Sequence, residues 1–120
     1  MWLFTTYGFF SVVCATNRKT GEPDKNLLMV CVRDINHLTN LTTRFPGLSA
    51  EKPVATKNTD YPWRMFVSKK LWQAAVKEMT AEMDYSNFKD ECEMIVGSRA
   101  AYIDVLHEVW EVTRQLQRKM

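Results

Sequence analysis

Long apolar runs, paired cysteines and catalytic signatures are all missing from this chain. No stretch of it approaches the ~20 apolar residues that span a bilayer, so no membrane helix is expected. Its three cysteines, Cys14, Cys31 and Cys92, are odd in number, form no Cys-x-x-Cys and have no histidine clustered with them. Those spacings argue against a disulfide scaffold and a structural zinc site, and for free thiols buried in a reducing, cytoplasmic setting. Charge of one sign is missing too. A net charge of +2 supplies no basic stripe for nucleic acid, and adjacent pairs such as Lys69-Lys70 suit a solvated face. There is no phosphate-binding Gly-rich loop, no dinucleotide fingerprint, no His-Glu-x-x-His and no Gly-x-Ser-x-Gly. No cofactor and no metal are implied, and a chain of this size without such motifs suits a binding protein better than an enzyme.

Aromatic side chains, by contrast, are plentiful: four Trp, four Tyr and six Phe. They are densest in the opening run from Trp2 to Cys14, where aromatic and β-branched residues favour a pleated, half-buried surface. A first strand is expected up to Ala15. Gly8 interrupts it, which marks a bulge or a place where something approaches the backbone closely. The run lacks a basic flank and carries Thr5, Thr6 and Ser11, so it does not read as a secretory leader. A polar tip follows over residues 17–25, punctuated by Gly21 and Pro23, and then a second strand from Leu27 to Val32, apolar on both faces. Val54 and Ala55 suit a short edge strand behind Pro53. A further strand is expected from Tyr61 to Val67, with Tyr61, Trp63, Met65 and Val67 on one face and Arg64 and Phe66 on the other.

Helix signals are equally plain. Asp34 caps a stripe of Ile35, Leu38, Leu41 and Phe45 that stops at Pro46. Ser68 caps a second helix carrying Leu71, Trp72, Ala75, Val76, Met79 and Met83. A short helix from Phe88 to Val96 precedes Gly97 and Ser98, a stop and a fresh cap, and the last helix carries Tyr102, Ile103, Leu106, Val109, Trp110, Thr113 and Leu116. The second and last helices are expected to share a core, Trp72, Val76 and Met79 against Ile103, Leu106 and Trp110. The order β-β-α-(β)-β-α-α-α predicts an α+β fold: a small antiparallel sheet of three to four strands with helices packed on one face, as a single compact domain over residues 1–120.

The opening from Trp2 to Val13 belongs with three further motifs. They are Thr59-Asp60-Tyr61-Pro62-x-Arg64, Asp84-Tyr85-x-Asn87-Phe88-Lys89, and a closing helix that holds Tyr102, His107, Val109 and Trp110. Together they resemble a group of short uncharacterised bacterial and phage-type proteins that open Trp-Leu-Phe-Thr-Thr-x-Gly-Phe-Phe-Ser-Val-Val. The resemblance covers most of the chain, with a longer polar tip here. It implies a stable small fold and carries no activity with it.

Gly8, Arg33, Asp60, Tyr61 and Arg64 form the strongest candidate ligand site. Guanidiniums offer a planar fork of donors to a carboxylate or phosphate, and glycine leaves the backbone open to close approach. A competing reading pairs the two arginines with Asp34, Asp60 or Glu51 at the sheet rim. The Asp84-to-Lys89 motif is explained by Ser86 or Asn87 capping a helix. His107 lies beside the last apolar stripe and His37 on a different helix; both suit surface or boundary positions, and no nucleophile motif accompanies them. The expected function is non-catalytic binding of a protein partner or a small phosphate-containing anion through an aromatic and arginine-bearing surface. A phage-type inhibitor or sequestering protein is one version of it, and a homodimer interface is another use of the same aromatics. The alternative is a small enzyme using His107 or Asp60 with Arg33 and Arg64.

Overall fold

In the computed structural model, which describes residues 1–49, 52–95 and 100–119, five strands form one antiparallel sheet. They are β1 (Trp2–Thr5), β2 (Gly8–Thr16), β3 (Pro23–Val32), β4 (Val54–Ala55) and β5 (Trp63–Ser68), in the spatial order β1-β2-β3-β5-β4. The helices are α1 (Ile35–Arg44), α2 (Lys69–Ala81), α3 (Phe88–Ile95) and α4 (Ala100–Thr113), with short 3-10 segments at Pro46–Leu48 and Arg114–Lys119. The chain divides into two compact units, Met1–Met83 and Asp84–Met120. The α+β class is as expected, but the strand count is five rather than three to four.

The extra strand comes from the opening run, which is a hairpin and not one strand. Thr5 stands opposite Gly8, and the chain reverses through Thr6 and Tyr7. Turn chemistry is supplied by Thr5, whose Oγ1 accepts the N–H groups of Tyr7 at 3.0 Å and Gly8 at 3.2 Å. A threonine hydroxyl replaces the usual Asn-Gly signal, so nothing in the composition announces the reversal. The polar tip is also shorter than expected, because Pro23 already belongs to β3. Asn17 closes it, its Oδ1 accepting from the N–H groups of Lys19 and Thr20.

Strand alternation sends one set of side chains toward the helices. Phe10 and Val12 of β2, Val30 and Val32 of β3, and Met65 and Val67 of β5 are covered by Leu38 and Leu41 of α1 and by Trp72 and Ala75 of α2. Both helices begin as their caps predict: Asp34 accepts the Asn36 N–H at 2.9 Å, and Ser68 Oγ accepts that of Leu71 at 3.2 Å. Their far ends are tied to the β1–β2 turn, since Glu82 pairs with Arg44 and accepts the Tyr7 hydroxyl at 2.6 Å. Burial, and then Glu82, push the Tyr7 hydroxyl up to about 12.

The second unit contains α3 and α4, and buries Cys92, Tyr102 and Leu106. Asn87 caps α3, its Oδ1 accepting the Asp90 N–H at 3.0 Å. The stop and cap expected at Gly97 and Ser98, and the end of the third helix at Val96, lie outside the described residues. The core expected to include Trp110 does not: Trp110 is 54% exposed, with the Lys89 ammonium 5.0 Å and the Arg114 guanidinium 5.6 Å from its ring centre. Trp72 packs edge-on to Phe10 in the sheet–helix core of the first unit. The three cysteines are free, and no helix among the described residues is long and apolar enough to cross a membrane.

Candidate functional site

The same alternation places a second set of side chains on the face of the sheet opposite α1 and α2. One cross-strand row runs through all five strands there: Trp2 opposite Ser11, Ser11 opposite Cys31, Cys31 opposite Arg64, and Arg64 opposite Val54. Phe4, Phe9, Val13, Met29 and Phe66 flank the row. This face is apolar too, yet it is not sealed. Trp2 is 70% exposed, and Val13 and Val54 stand nearly half exposed.

Phe9 is the hub of an aromatic cluster on this face. Phe4 stacks on it at 4.4 Å, Trp2 meets it edge-on at 5.7 Å, and the Tyr61 ring lies 6.4 Å away. Tyr61 therefore sits with the arginine-bearing face and not opposite to it. The reason is that β5 begins only at Trp63, so strand alternation does not reach back to Tyr61. Arg33 lies over this ring, its guanidinium carbon 4.7 Å from the centroid, while its Nη1 donates to the Asp60 carbonyl at 2.7 Å. Arg33, Asp60 and Tyr61 are thus brought together, as expected, but Arg33 takes the backbone of Asp60 and leaves its carboxylate alone.

Arg64 is half-buried on β5, one strand in from the β4 edge of the sheet. Its Nη2 donates to Thr56 Oγ1 at 3.2 Å and its Nη1 to the Met29 sulfur at 3.3 Å, while its Nε is buried without any hydrogen-bond partner. Thr56 in turn donates to the Tyr61 carbonyl at 3.0 Å, so the two arginines hold the residue 56–62 loop from either side. Neither guanidinium forms a salt bridge with a described carboxylate. Asp34 and Asp60, the partners expected at the rim, do not fill that role, and Glu51 lies outside the described residues. Burial pushes the neighbouring Cys31 thiol up; the Arg64 charge opposes this and Asp60 adds to it.

Gly8 does mark a close approach to the backbone, as its sequence context suggested, but a side chain of this chain makes it. A Cβ built on it would lie 2.2 Å from His37 Cγ, and its φ of +147° is strained for any other residue. The close approach is made by His37, which is buried on α1 and accepts the Phe9 N–H through Nδ1 at 3.2 Å. The expectation of a surface or boundary position for His37 is corrected. Gly8 was the one signal in the sequence for this contact, and it did not say which residue would fill the space. His107 belongs to the second unit, where its Nε2 stands 3.7 Å from a Glu93 oxygen with both side chains half-exposed.

Among the described residues no group of three or more His, Cys, Asp and Glu is arranged to hold a metal ion. Chemically, the face offers cationic forks set among aromatic and sulfur-bearing side chains. No family model matches the chain, and no curated protein and no solved structure matches it either.

Proposed function

We propose that this is a non-catalytic binding protein whose working surface is the sheet face opposite α1 and α2, with Arg33, Asp60, Tyr61 and Arg64 at its charged end. The observation that carries the reading is Arg64: a half-buried guanidinium with one N–H buried and unpaired, and no salt bridge to a described carboxylate. Withdrawing such a group from water costs stability unless something pairs with it. The same face carries Trp2, Tyr61 and Arg33 around Phe9, and Trp, Tyr and Arg are the types that dominate interaction hot spots. A phage-type inhibitor or sequestering protein is one version of this reading, and it rests on analogy alone.

A selection from a random displayed-peptide library against the whole protein tests this, with Trp2→Ser and Val13→Thr as variants that alter only exposed parts of the face. The expected outcome is a set of binders whose affinity falls at least about tenfold on the double variant, the scale of a lost hot spot. Binders indifferent to both changes would place the working surface elsewhere and overturn the proposal.

A further inference from the structure

The geometry points to the chemistry of the occupant: we infer that the sheet face takes a protein segment that sets one Asp or Glu carboxylate, flanked by apolar side chains, onto Arg64. The inference rests on the binding role proposed above and adds the class of partner. Three observations carry it.

The first is charge. Arg64 and Arg33 bring two guanidiniums to one face with no salt bridge to a described carboxylate, and the only acceptors on Arg64 are a hydroxyl and a thioether. Among the described residues those are its acceptors; arginine offers five N–H donors, and a carboxylate accepts two of them side by side more strongly than any neutral group does. The second is the setting of that charge. Met29, Cys31 and Phe66 adjoin Arg64 in the sheet register, and Trp2, Val13 and Val54 expose apolar surface beyond them. A partner that supplied charge alone would leave that surface wet, whereas a carboxylate between apolar side chains covers both.

The third observation separates this occupant from its competitors. Single-stranded nucleic acid uses aromatic rings as platforms for bases. Here Phe4 and Phe9 already stack on each other at an interplanar angle of 12°, and Arg33 occupies a face of Tyr61. Two cations also make a poor track for a polyanion. A second copy of the chain laid face to face would set guanidinium against guanidinium, which disfavours that pairing.

The test uses matched synthetic peptides and the full chain. In one series a central Glu is flanked on each side by two apolar residues; its partners carry Gln or phosphoserine at the same position, and an oligothymidylate serves as the nucleic-acid probe. Binding is followed by changes in tryptophan fluorescence and by backbone amide shifts. The Glu peptide is expected to bind at least about tenfold tighter than the Gln peptide, as a charge-assisted bidentate contact requires. Arg64→Met should erase that preference while Arg64→Lys keeps part of it. Equal binding of the Glu and Gln peptides overturns the inference, and this readout needs no variant to fold. Preference for phosphoserine or oligothymidylate, abolished by Arg64→Met, would also overturn the carboxylate but leave the binding surface standing. Failure of every probe to shift amides of the sheet face overturns both.

Discussion

The two faces of this sheet are built by the same strands and by adjacent residues, yet they are made of different material. The face under α1 and α2 is mostly aliphatic, and Phe10, Val30, Val32 and Met65 on it are fully buried. The opposite face holds Trp2, Phe4, Phe9, Phe66 and Arg64, with Tyr61 joining from the loop, and much of it is half-buried or exposed. Phe9 and Phe10 show the division at one step of the chain: Phe10 packs edge-on to Trp72, and Phe9 gathers the rings of Trp2, Phe4 and Tyr61. Aliphatic packing against helices accounts for folding. Aromatics on the other side, and an arginine there without a salt bridge to a described carboxylate, are more than folding needs, and that surplus is where the binding reading rests.

The largest effect is expected where the two faces meet, at Gly8. Any side chain there collides with His37 on the helix side and forces an unfavourable φ in the strand that carries Phe9. Gly8→Ala should cost about 2–6 kcal/mol, from roughly 1–3 of backbone strain and about as much of overpacking. Urea titration measures it. In a His37→Ala background the same change should cost only the strain, and equal costs in both backgrounds would show that His37 is not what fills the space.

Next in size is the direct contrast between faces. Leu41→Ala removes a fully buried side chain from under the helix and should cost about 2–5 kcal/mol. Val13→Ala, on the half-exposed opposite face, should cost less than about 1 kcal/mol. Comparable losses at the two positions, read from thermal melts, would mean that both faces serve stability and would erase the distinction.

How much of this was legible beforehand depends on whether the signal was local. Asp34, Ser68 and Asn87 cap their helices through side-chain bonds to amides two or three residues on, and each was visible as a short polar residue before an apolar stripe. The edge strand at Val54–Ala55 was visible behind Pro53. The Thr6–Tyr7 reversal was not, because it depends on a hydroxyl one residue before the turn instead of on Gly, Asn or Pro in it. At the site, the meeting of Arg33 with Asp60 and Tyr61 was anticipated from strand ends that could share a sheet. The occupant of the space over Gly8 was not, since His37 lies 28 residues beyond Phe9 and only the folded α1 brings it there.

A smaller effect is expected at the clasp joining the helix ends to the hairpin. Tyr7→Phe removes the bond to Glu82 and should cost about 0.5–1.5 kcal/mol near neutral pH. The Tyr7 hydroxyl is pushed up from 10.0 to about 12, so the folded protein holds that proton more tightly than the unfolded chain. Its contribution is complete below pH 10 and is lost as the pH rises toward 12. The stability gap between wild type and Tyr7→Phe should therefore narrow across that window. A gap that stays constant to pH 12 would show that the hydroxyl is not held by Glu82.

The smallest loss of stability, and the change that bears most on function, is expected at Arg64 itself. Methionine matches much of its volume and its apolar stem, but removes a buried Nε that nothing satisfies. The lost bonds to Thr56 and to the Met29 sulfur are one neutral hydroxyl contact and one weak sulfur contact, so little is given up in exchange. Replacing an unpaired, partly buried charge by an apolar group is often neutral or stabilising. Arg64→Met should accordingly leave stability unchanged or raise it by up to about 2 kcal/mol, measured by urea titration at two salt concentrations, while removing the preference for acidic peptides. A residue that the fold would be better without, and that binding cannot do without, is one held for its partner. A loss of more than about 1 kcal/mol in the variant would mean instead that Arg64 is there to pin the 56–62 loop, and the two faces of the sheet would then differ in composition but not in purpose.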